Sequence, residues 1–489
     1  MEFRKFILLL NFYFSVSSFF AQNETDLYRF SKTTYSGTAR FESMGGAFGA
    51  LGADLSCSAI NPAGYARYSS NQFGISIYGA SNQNKSIFAN NLIETNKSQG
   101  GISNLGLVLT EDISEKSNGF LYQQLAINFN QIENFTNSFR YQGQQYASLL
   151  DQFVGQSQGY YPEELNSYFP FSTDLAYQTG AIQYDNTSQE FYSLLNNGDV
   201  IHNRTVNSKG GARDLSVSMS TNYLNKLYIG ACIGLRFYKY KEEYTHTEFL
   251  TDTSNTSLRS FDYNYSFTTQ GTGFNIKLGT IYLPNEFIRI GVAFHTPTFS
   301  ELTDIWSASM TSNFANISAS IPQNEIPTGN YKYKIRNPYR VVGSMAFLLG
   351  TRGCLSVDAE YLNYANSKFK STDDLAYDPY NYEFENALAK QVFQKAINFR
   401  GGCEFVIFPG LYLRAGYSYY GNAFKMSENA DLQPEIFFTS GIGVKYKKMF
   451  FDLAFKRRNM KRNYYAFPES ITTLIQQNTS IILSGTVQF

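Results

Sequence analysis

From about residue 71 to the end, the chain alternates. Leu215/Val217/Met219, Ile276/Leu278, Ile288/Ile290/Val292/Phe294, Leu355/Val357/Ala359/Tyr361, Leu411/Leu413/Ala415/Tyr417, Phe451/Leu453/Phe455 and Ile481/Leu483/Gly485/Val487/Phe489 put an apolar or small residue at every second position. A period of two sends successive side chains to opposite faces of a strand. The pattern predicts about fourteen strands: 71–80, 101–110, 120–130, 212–223, 227–240, 262–282, 287–297, 331–349, 354–364, 395–407, 411–421, 436–446, 449–457 and 477–489. The connections alternate as well. Those at Leu224–Lys226, Leu283–Glu286, Gly350–Gly353, Phe408–Gly410 and Lys447–Lys448 are short, and 111–119 is the longest of that set. Those at 81–100, 131–211, 241–261, 298–330, 365–394, 422–435 and 458–476 are long. Tight turns on one side and large loops on the other are the habit of barrels that span the outer membrane. The even strand number returns both ends to the tight-turn side, so Lys447 and Lys448 are expected in the periplasm. A soluble sandwich or propeller would also alternate, but it would need more surface charge and no such parity.

Composition supports the barrel. Charged residues are 16% of the chain, against about 25% in ordinary soluble domains, and aromatics are 17%. A mean hydropathy of −0.29 excludes a bundle of transmembrane helices. Forty basic residues balance forty acidic ones, so no nucleic acid is expected as a partner. The four cysteines, Cys57, Cys232, Cys354 and Cys403, lie far apart, and neither a metal site nor a cofactor is expected. Of the three histidines, His202 and His246 are assigned to loops and His295 to the end of a strand. No catalytic constellation forms, so the chain is not read as an enzyme.

Before the first strand the pattern changes. Arg4 and Lys5 precede the apolar run Phe6–Phe20, the arrangement of a secretory signal over 1–21, with cleavage expected before Gln22. Residues 22–70 are rich in Gly and Ala from Ser36 to Ser56, and small residues let backbone approach backbone closely. This segment is expected to plug a barrel formed by 71–489. Gly46, Gly49 and Gly52 do not fit a dinucleotide-binding fingerprint. The fold class expected is therefore all-β, a transmembrane antiparallel β-barrel of about 14 strands with an N-terminal lumenal hatch.

The run Ala39-Arg40…Met44-Gly45-Gly46-Ala47-Phe48…Asn61-Pro62-Ala63-Gly64 resembles the N-terminal hatch of the FadL/TodX outer-membrane transporters. More specifically, it resembles their Bacteroidetes-type relatives, sometimes labelled hemin receptors. Gly291-Val-Ala-Phe-His-Thr-Pro297 and Leu413-Arg-Ala-Gly-Tyr-Ser-Tyr419 are similar to segments of that group. The resemblance implies a monomeric integral protein of the outer membrane that takes up hydrophobic small molecules, of the long-chain fatty acid or aromatic hydrocarbon type. In the family, extracellular loops capture the ligand, a lumenal pocket receives it, the hatch changes shape, and release runs sideways beside a kinked third strand. The third strand predicted here, 120–130, contains no Gly or Pro. The alternative is a barrel of the same fold serving as a scaffold in protein secretion or surface attachment; a third is a general porin. The terminal Phe489, on an alternating strand, resembles the signal read by the barrel-assembly machinery. Outer-membrane lipids are the remaining expected partner.

The residues assign roles within that frame. Asn61, Pro62, Ala63 and Gly64 form the expected hatch gate. Pro62 biases Asn61 towards an extended backbone, and Gly64 is expected in a turn closed to other residues. If Leu235, Phe237, Phe274 and Ile276 face lipid, then Arg236, Tyr238, Tyr240, Tyr263, Tyr265, Phe267 and Lys277 face inward. Of these, Tyr238, Tyr240, Tyr263, Tyr265 and Phe267 are candidates to line a ligand path, or to pair across a hairpin above the membrane. Arg289, Asp358, Glu360, Arg400, Glu404, Arg414, Lys445 and Asp452 form an expected lumenal charge network, with Glu404–Arg414 and Lys445–Asp452 as cross-turn pairs. A lipid-facing Arg or Lys at the bilayer midplane would cost about 2–4 kcal/mol, which places such charges inside. In the longest loop, Leu149/Leu150/Phe153/Val154, Leu165/Tyr168/Phe169 and Phe191/Leu194/Leu195 read as apolar helical faces, with Gly198 as a helix cap. They are expected either to bind apolar ligands or to pack on each other over the barrel.

Overall fold

The computed structural model describes residues 24–115, 118–195, 200–250, 257–372, 380–425, 434–468 and 470–489. The predicted signal segment and Gly198 lie outside them. Fourteen antiparallel strands close into a barrel. They are β1 (Gln72–Phe88), β2 (Asn91–Asp112), β3 (Phe120–Asn134, continued by Asn137–Gln145), β4 (Val200–Tyr223), β5 (Leu227–Leu250) and β6 (Leu258–Tyr282). Next come β7 (Ile288–His295 and Phe299–Phe314), β8 (Thr328–Arg336 and Arg340–Leu348) and β9 (Gly353–Asn363 and Lys368–Lys370). The last five are β10 (Lys395–Phe408), β11 (Leu411–Tyr420), β12 (Glu435–Tyr446), β13 (Met449–Tyr465) and β14 (Ile471–Gln488). β14 pairs with β1 from Gln72↔Gln488 to Ile87↔Thr473 and shuts the ring.

The two faces of the wall obey the alternation. Leu235, Phe237, Phe274, Ile276, Val292, Phe294, Val357, Phe399, Leu453 and Leu483 are exposed on the outside, while Arg236, Asn275, Lys277, Asp358, Arg400 and Asp452 are buried inside. An apolar exterior round a polar interior is the surface a bilayer requires.

The strands outrun their prediction. Much of 81–100, 241–261, 298–330 and 458–476, expected as loops, is ladder. β1 and β2 meet in a two-residue turn at Ala89–Asn90, both with positive φ, where a long loop was expected. Hydrogen bonding continues above the lipid band, but the apolar period does not. Ser81-Asn-Gln-Asn-Lys-Ser-Ile-Phe88 is polar on both faces until its end, so alternation could not reveal it.

Residues 24–71 fill the lumen. A helix, α1 (Glu24–Ser31), is followed by the short α2 (Ala39–Ser43) and two 3-10 turns, Cys57–Ala59 and Pro62–Arg67. Leu27, Phe30, Phe41, Met44, Phe48 and Leu51 pack with wall residues in the main apolar cluster. A second cluster caps the other end. Leu149, Leu150, Phe153, Leu165, Phe169, Phe191 and Leu195 pack with Leu258, Phe261, Tyr263 and Met310. The apolar faces of the long loop thus cover each other and the barrel rim. Phe191 sits in a small hairpin, Glu190–Ser193 with Ile182–Asp185, rather than on a helix.

Candidate functional site: the lumenal segment and the seam beside it

The lumenal segment is tied to the wall mostly through its own backbone. Asn61 Nδ2 donates to the Gly49 carbonyl at 2.7 Å and to the Thr280 carbonyl of β6 at 3.0 Å, while Asn61 Oδ1 accepts from Ala63 N at 3.0 Å. Asn61 is extended, with φ −143° and ψ 107°, and Pro62 opens the 3-10 turn after it. The wall is cut to fit. A Cβ at Gly279 would strike Asn61 Oδ1, and one at Gly230 would strike the Pro62 backbone. The expectation for Gly64 is corrected. It lies within the 3-10 turn and is not among the positive-φ residues. What demands glycine there is space, since a Cβ would sit 2.5 Å from Cys57 Sγ and 3.1 Å from Gly52 Cα.

Further ties ring the lumen. Lys277 Nζ donates to the Ser58 carbonyl at 3.1 Å, His295 Nε2 lies 2.8 Å from the Ile60 carbonyl, and Arg289 donates to the Leu51 carbonyl at 2.8 Å. Asn128 of β3 donates to the Leu55 carbonyl. Gly45 N donates to Thr439 Oγ1 at 3.1 Å, and Ser418 donates to the Gly45 carbonyl at 2.7 Å. The sequence reading missed His295, Asn128 and the wall glycines. Inward glycines in neighbouring strands facing the Asn-Pro-Ala triplet were the available signal.

The charges form two buried groups. In the first, Arg400 lies 3.0 Å from Glu360 and 3.7 Å from Asp358, and Arg340 lies 2.9 Å from Glu360. Arg340 also donates to the Ser31 carbonyl at 2.7 Å, and Gly49 N donates to Asp358 at 3.2 Å. In the second, Arg414 bridges Glu404 and Asp452, both at 2.6 Å, while Arg40 of the lumenal segment reaches Glu404 at 3.0 Å. Lys445 is not part of this group, which corrects its assignment. It is exposed and lies over the Phe450 ring at 5.1 Å. Asp452 faces Gly443 across the ladder, and the missing side chain there admits the Arg414 guanidinium instead. Removing one partner from such a buried group leaves an uncompensated charge and typically costs about 3–5 kcal/mol.

The five aromatics point inward but do not line an open path together. Tyr238 meets Phe30 at 5.6 Å, Arg29 lies over Tyr240 at 4.1 Å, and Phe267 joins the same cluster. Tyr263 instead meets Phe153 of the long loop at 5.6 Å, and Tyr265 stacks on Tyr244 at 5.2 Å. Three serve the lumenal segment and two serve the cap.

His202, His246 and Glu248 are the one group of donors among the described residues close enough for a metal ion. Its hydrogen bonds describe a latch. Glu248 accepts from Ser148 Oγ at 2.5 Å and from Leu149 N at 2.8 Å, holding the start of α3 (Leu149–Ser157) to β5. Arg204 Nε donates to His246 Nδ1 at 3.2 Å, which puts the ring proton on Nε2, facing Glu248 at 2.8 Å.

The third strand departs from expectation most. β2 and β3 are laddered only from Asp112↔Tyr122 up to Asn104↔Asn130. Above that, β3 has a bulge at Gln131–Glu133 and a break at Phe135–Thr136. Its continuation pairs with β4 alone, from Asn137↔Ser208 to Gln145↔Val200. The break at Phe135–Thr136 has no Gly or Pro of its own strand beside it. Gly210 and Gly211 stand opposite the break, with Phe135 N donating to the Gly210 carbonyl at 3.1 Å. Side chains of the first hairpin then hold the displaced strand. Asn82 donates to the Thr136 carbonyl at 2.7 Å, and Asn84 donates to the Ser138 carbonyl at 2.6 Å. A cavity lies at this seam, lined by Gln99, Gln131, Asn134 and Thr136 on the wall and by Thr34, Ser36 and Glu42 of the lumenal segment. Glu42 is paired there with Lys456 at 2.9 Å.

No family model matches the sequence, and no curated protein does. Solved structures match the fold. A Pseudomonas aeruginosa FadL homologue aligns with a TM-score of 0.54 at 11% identity, over 93% of this chain and 98% of that one. The Pseudomonas putida toluene transporter TodX aligns with a TM-score of 0.52 at 14% identity, over 93% and 99%. Both alignments span the barrel and nearly the whole of the solved chains. The closed fourteen-stranded barrel is what the two alignments show, so this protein has the fold of the FadL homologue and of TodX.

Proposed function

We propose that this protein is an integral outer-membrane channel for hydrophobic small molecules, not an enzyme, with residues 24–70 as its hatch and Asn61–Gly64 as the anchor that must shift. The observation that carries the reading is the interrupted ladder between β2 and β3, beside a cavity that reaches the lumenal segment. A wall with unpaired backbone groups costs several kcal/mol per group if lipid covers it, so an interruption needs a compensating purpose. The structural neighbours support the cargo class, since TodX is a toluene transporter. The exit favoured here is sideways, through the β2–β3 seam.

A second reading, a scaffold for secreted or surface-attached proteins, is favoured by one observation. The apolar lumenal side chains already cover each other, from Phe30–Tyr238 to Phe153–Tyr263. Asn61→Ala with Pro62→Gly separates the two. Loss of the Thr280 and Gly49 bonds removes buried hydrogen bonds worth about 1–3 kcal/mol in total and frees the backbone. The barrel should still migrate as a heat-modifiable folded form, while uptake of a fluorescent fatty acid or closed-state conductance changes severalfold. A folded variant identical to wild type in both assays would end the gating role.

A further inference from the structure

A regular strand sends alternate side chains to opposite faces, yet Asn130, Gln131, Ile132 and Glu133 of β3 are all buried. The bulge explains them. Ile132 is the extra residue between the pairs Gln131↔Arg213 and Glu133↔Ala212, and bulges commonly re-aim a side chain. Gln131, only 7% exposed, lines the seam cavity, and its side-chain amide has no hydrogen-bond partner among the described residues. The lumenal segment closes on the same bulge. Thr34 N donates to the Ile132 carbonyl at 3.0 Å and Ser36 N to the Gln131 carbonyl at 3.1 Å. Across the opening, Gln99 of β2 lines the cavity too, and its amide is likewise unpartnered among the described residues.

What this lining leaves open decides what it can hold. A glutamine amide offers a carbonyl acceptor and two N–H donors. Two more lining residues keep a buried atom without a partner, an acceptor at Glu133 Oε2 and a donor at Arg458 Nε. The charges themselves are matched: Lys456 with Glu42 at 2.9 Å, Arg458 with Glu435 at 3.2 Å, and Glu133 with Lys32 at 3.6 Å. A carboxylate would bring acceptors only, and both cations of the lining are already taken. A bare hydrocarbon would strip water from the amides and return no hydrogen bond. An uncharged group that both donates and accepts answers the whole lining.

Size sets how much of a ligand enters. The cavity volume is about 90 Å³, room for roughly six waters. That holds a head of a few atoms and excludes a long chain. The chain has a way out, because β2 and β3 are not laddered above Asn104↔Asn130, and Ile102 and Leu105 are exposed at the foot of that opening. We infer that the cavity binds the neutral head of a long-chain amphiphile, an amide or hydroxyl held by Gln131 and Gln99, with its chain running out between β2 and β3.

The inference rests on the channel reading proposed above and narrows its cargo. It is tested with the full chain folded in neutral detergent, by native mass spectrometry against dodecanamide, ionised laurate and dodecane, which share one chain length. Dodecanamide should bind at least tenfold more tightly than either of the others. Gln131→Leu, close in volume, should erase that preference in protein that still migrates as a heat-modifiable folded form. Gln99→Leu, at the less buried side of the opening, should weaken it at least threefold and decides the matter if Gln131→Leu does not fold. Equal binding of all three probes, tighter binding of laurate or dodecane, or a preference for the amide that survives in the folded variants would overturn the inference and leave a channel for hydrophobic molecules standing. Binding of none of the three would remove both.

Discussion

The seam between β14 and β1 joins the two ends of the barrel, and the seam between β2 and β3 joins neighbours in the chain. The first should be the harder to make, because its contacts are remote in sequence. Yet it is laddered without interruption from Gln72↔Gln488 to Ile87↔Thr473, while the second stops at Asn104↔Asn130. The opening is therefore not a defect of closure. It is built by β3, which bulges at Gln131–Glu133, leaves the backbone ladder of β2 and is held by side chains, Asn82 and Asn84 of β1 and Thr95 of β2. Asn104 is roughly 20 Å above the tight-turn end of β2, so the opening falls in the upper part of a band about 25 Å tall. Backbone groups left unpaired at that height must meet water or cargo rather than closed wall.

Blocking the open seam is the strongest way to break this comparison. In a Cys403→Ser background, Gln99→Cys labelled with a bulky maleimide should lower uptake of a hydrophobic fluorescent probe at least tenfold. Ile481→Cys, on the lipid face of the closed seam, should tolerate the same label. Equal loss at both sites, or at neither, would remove the seam from the transport path.

A smaller effect sharpens the cause. Asn84 donates to Asn137 Oδ1 at 2.9 Å and to the Ser138 carbonyl at 2.6 Å, and it accepts from Gln476 at 2.7 Å. Asn84→Ala should cost about 1–3 kcal/mol in denaturant titrations of the folded barrel and raise basal conductance, since the displaced strand loses its holder. Ser76→Ala removes one hydroxyl contact, to Ser484 at 2.7 Å, on the closed seam. It should cost about 0.5–1.5 kcal/mol and leave conductance unchanged.

The same contrast explains what could be read from the sequence. Where lipid covers one face and polar groups the other, alternation is enforced, and Leu235/Phe237 against Arg236/Tyr238 could be assigned by parity alone. The Asn-Pro-Ala triplet was legible because Pro62 dictates its own backbone and that of Asn61. Beyond Asn130 only Phe139 and Tyr141 alternate inward, packed with Phe88 and Val206, and so short a run marks neither the extension of β3 nor its break. The break is also non-local. Its glycines, Gly210 and Gly211, belong to β4, and its holders belong to β1 (Asn82 and Asn84) and β2 (Thr95). Lys445 failed for a related reason. Parity placed it inside, but the strand end exposes both faces, and Gly443 gave Asp452 to Arg414.

Hydrogen exchange on the folded barrel tests the difference between the seams directly. In an interior strand every amide is bonded to one neighbour or the other, whereas an edge leaves alternate amides free. In 91–103 of β2, the amides turned away from β1 should exchange at least a hundredfold faster than those turned towards it. Amides of 473–487 in β14 should be protected at every position. Uniform protection through 91–103, matching that of β14, would mean that β2 and β3 are laddered in the membrane, and would contradict the open seam on which the proposed exit depends.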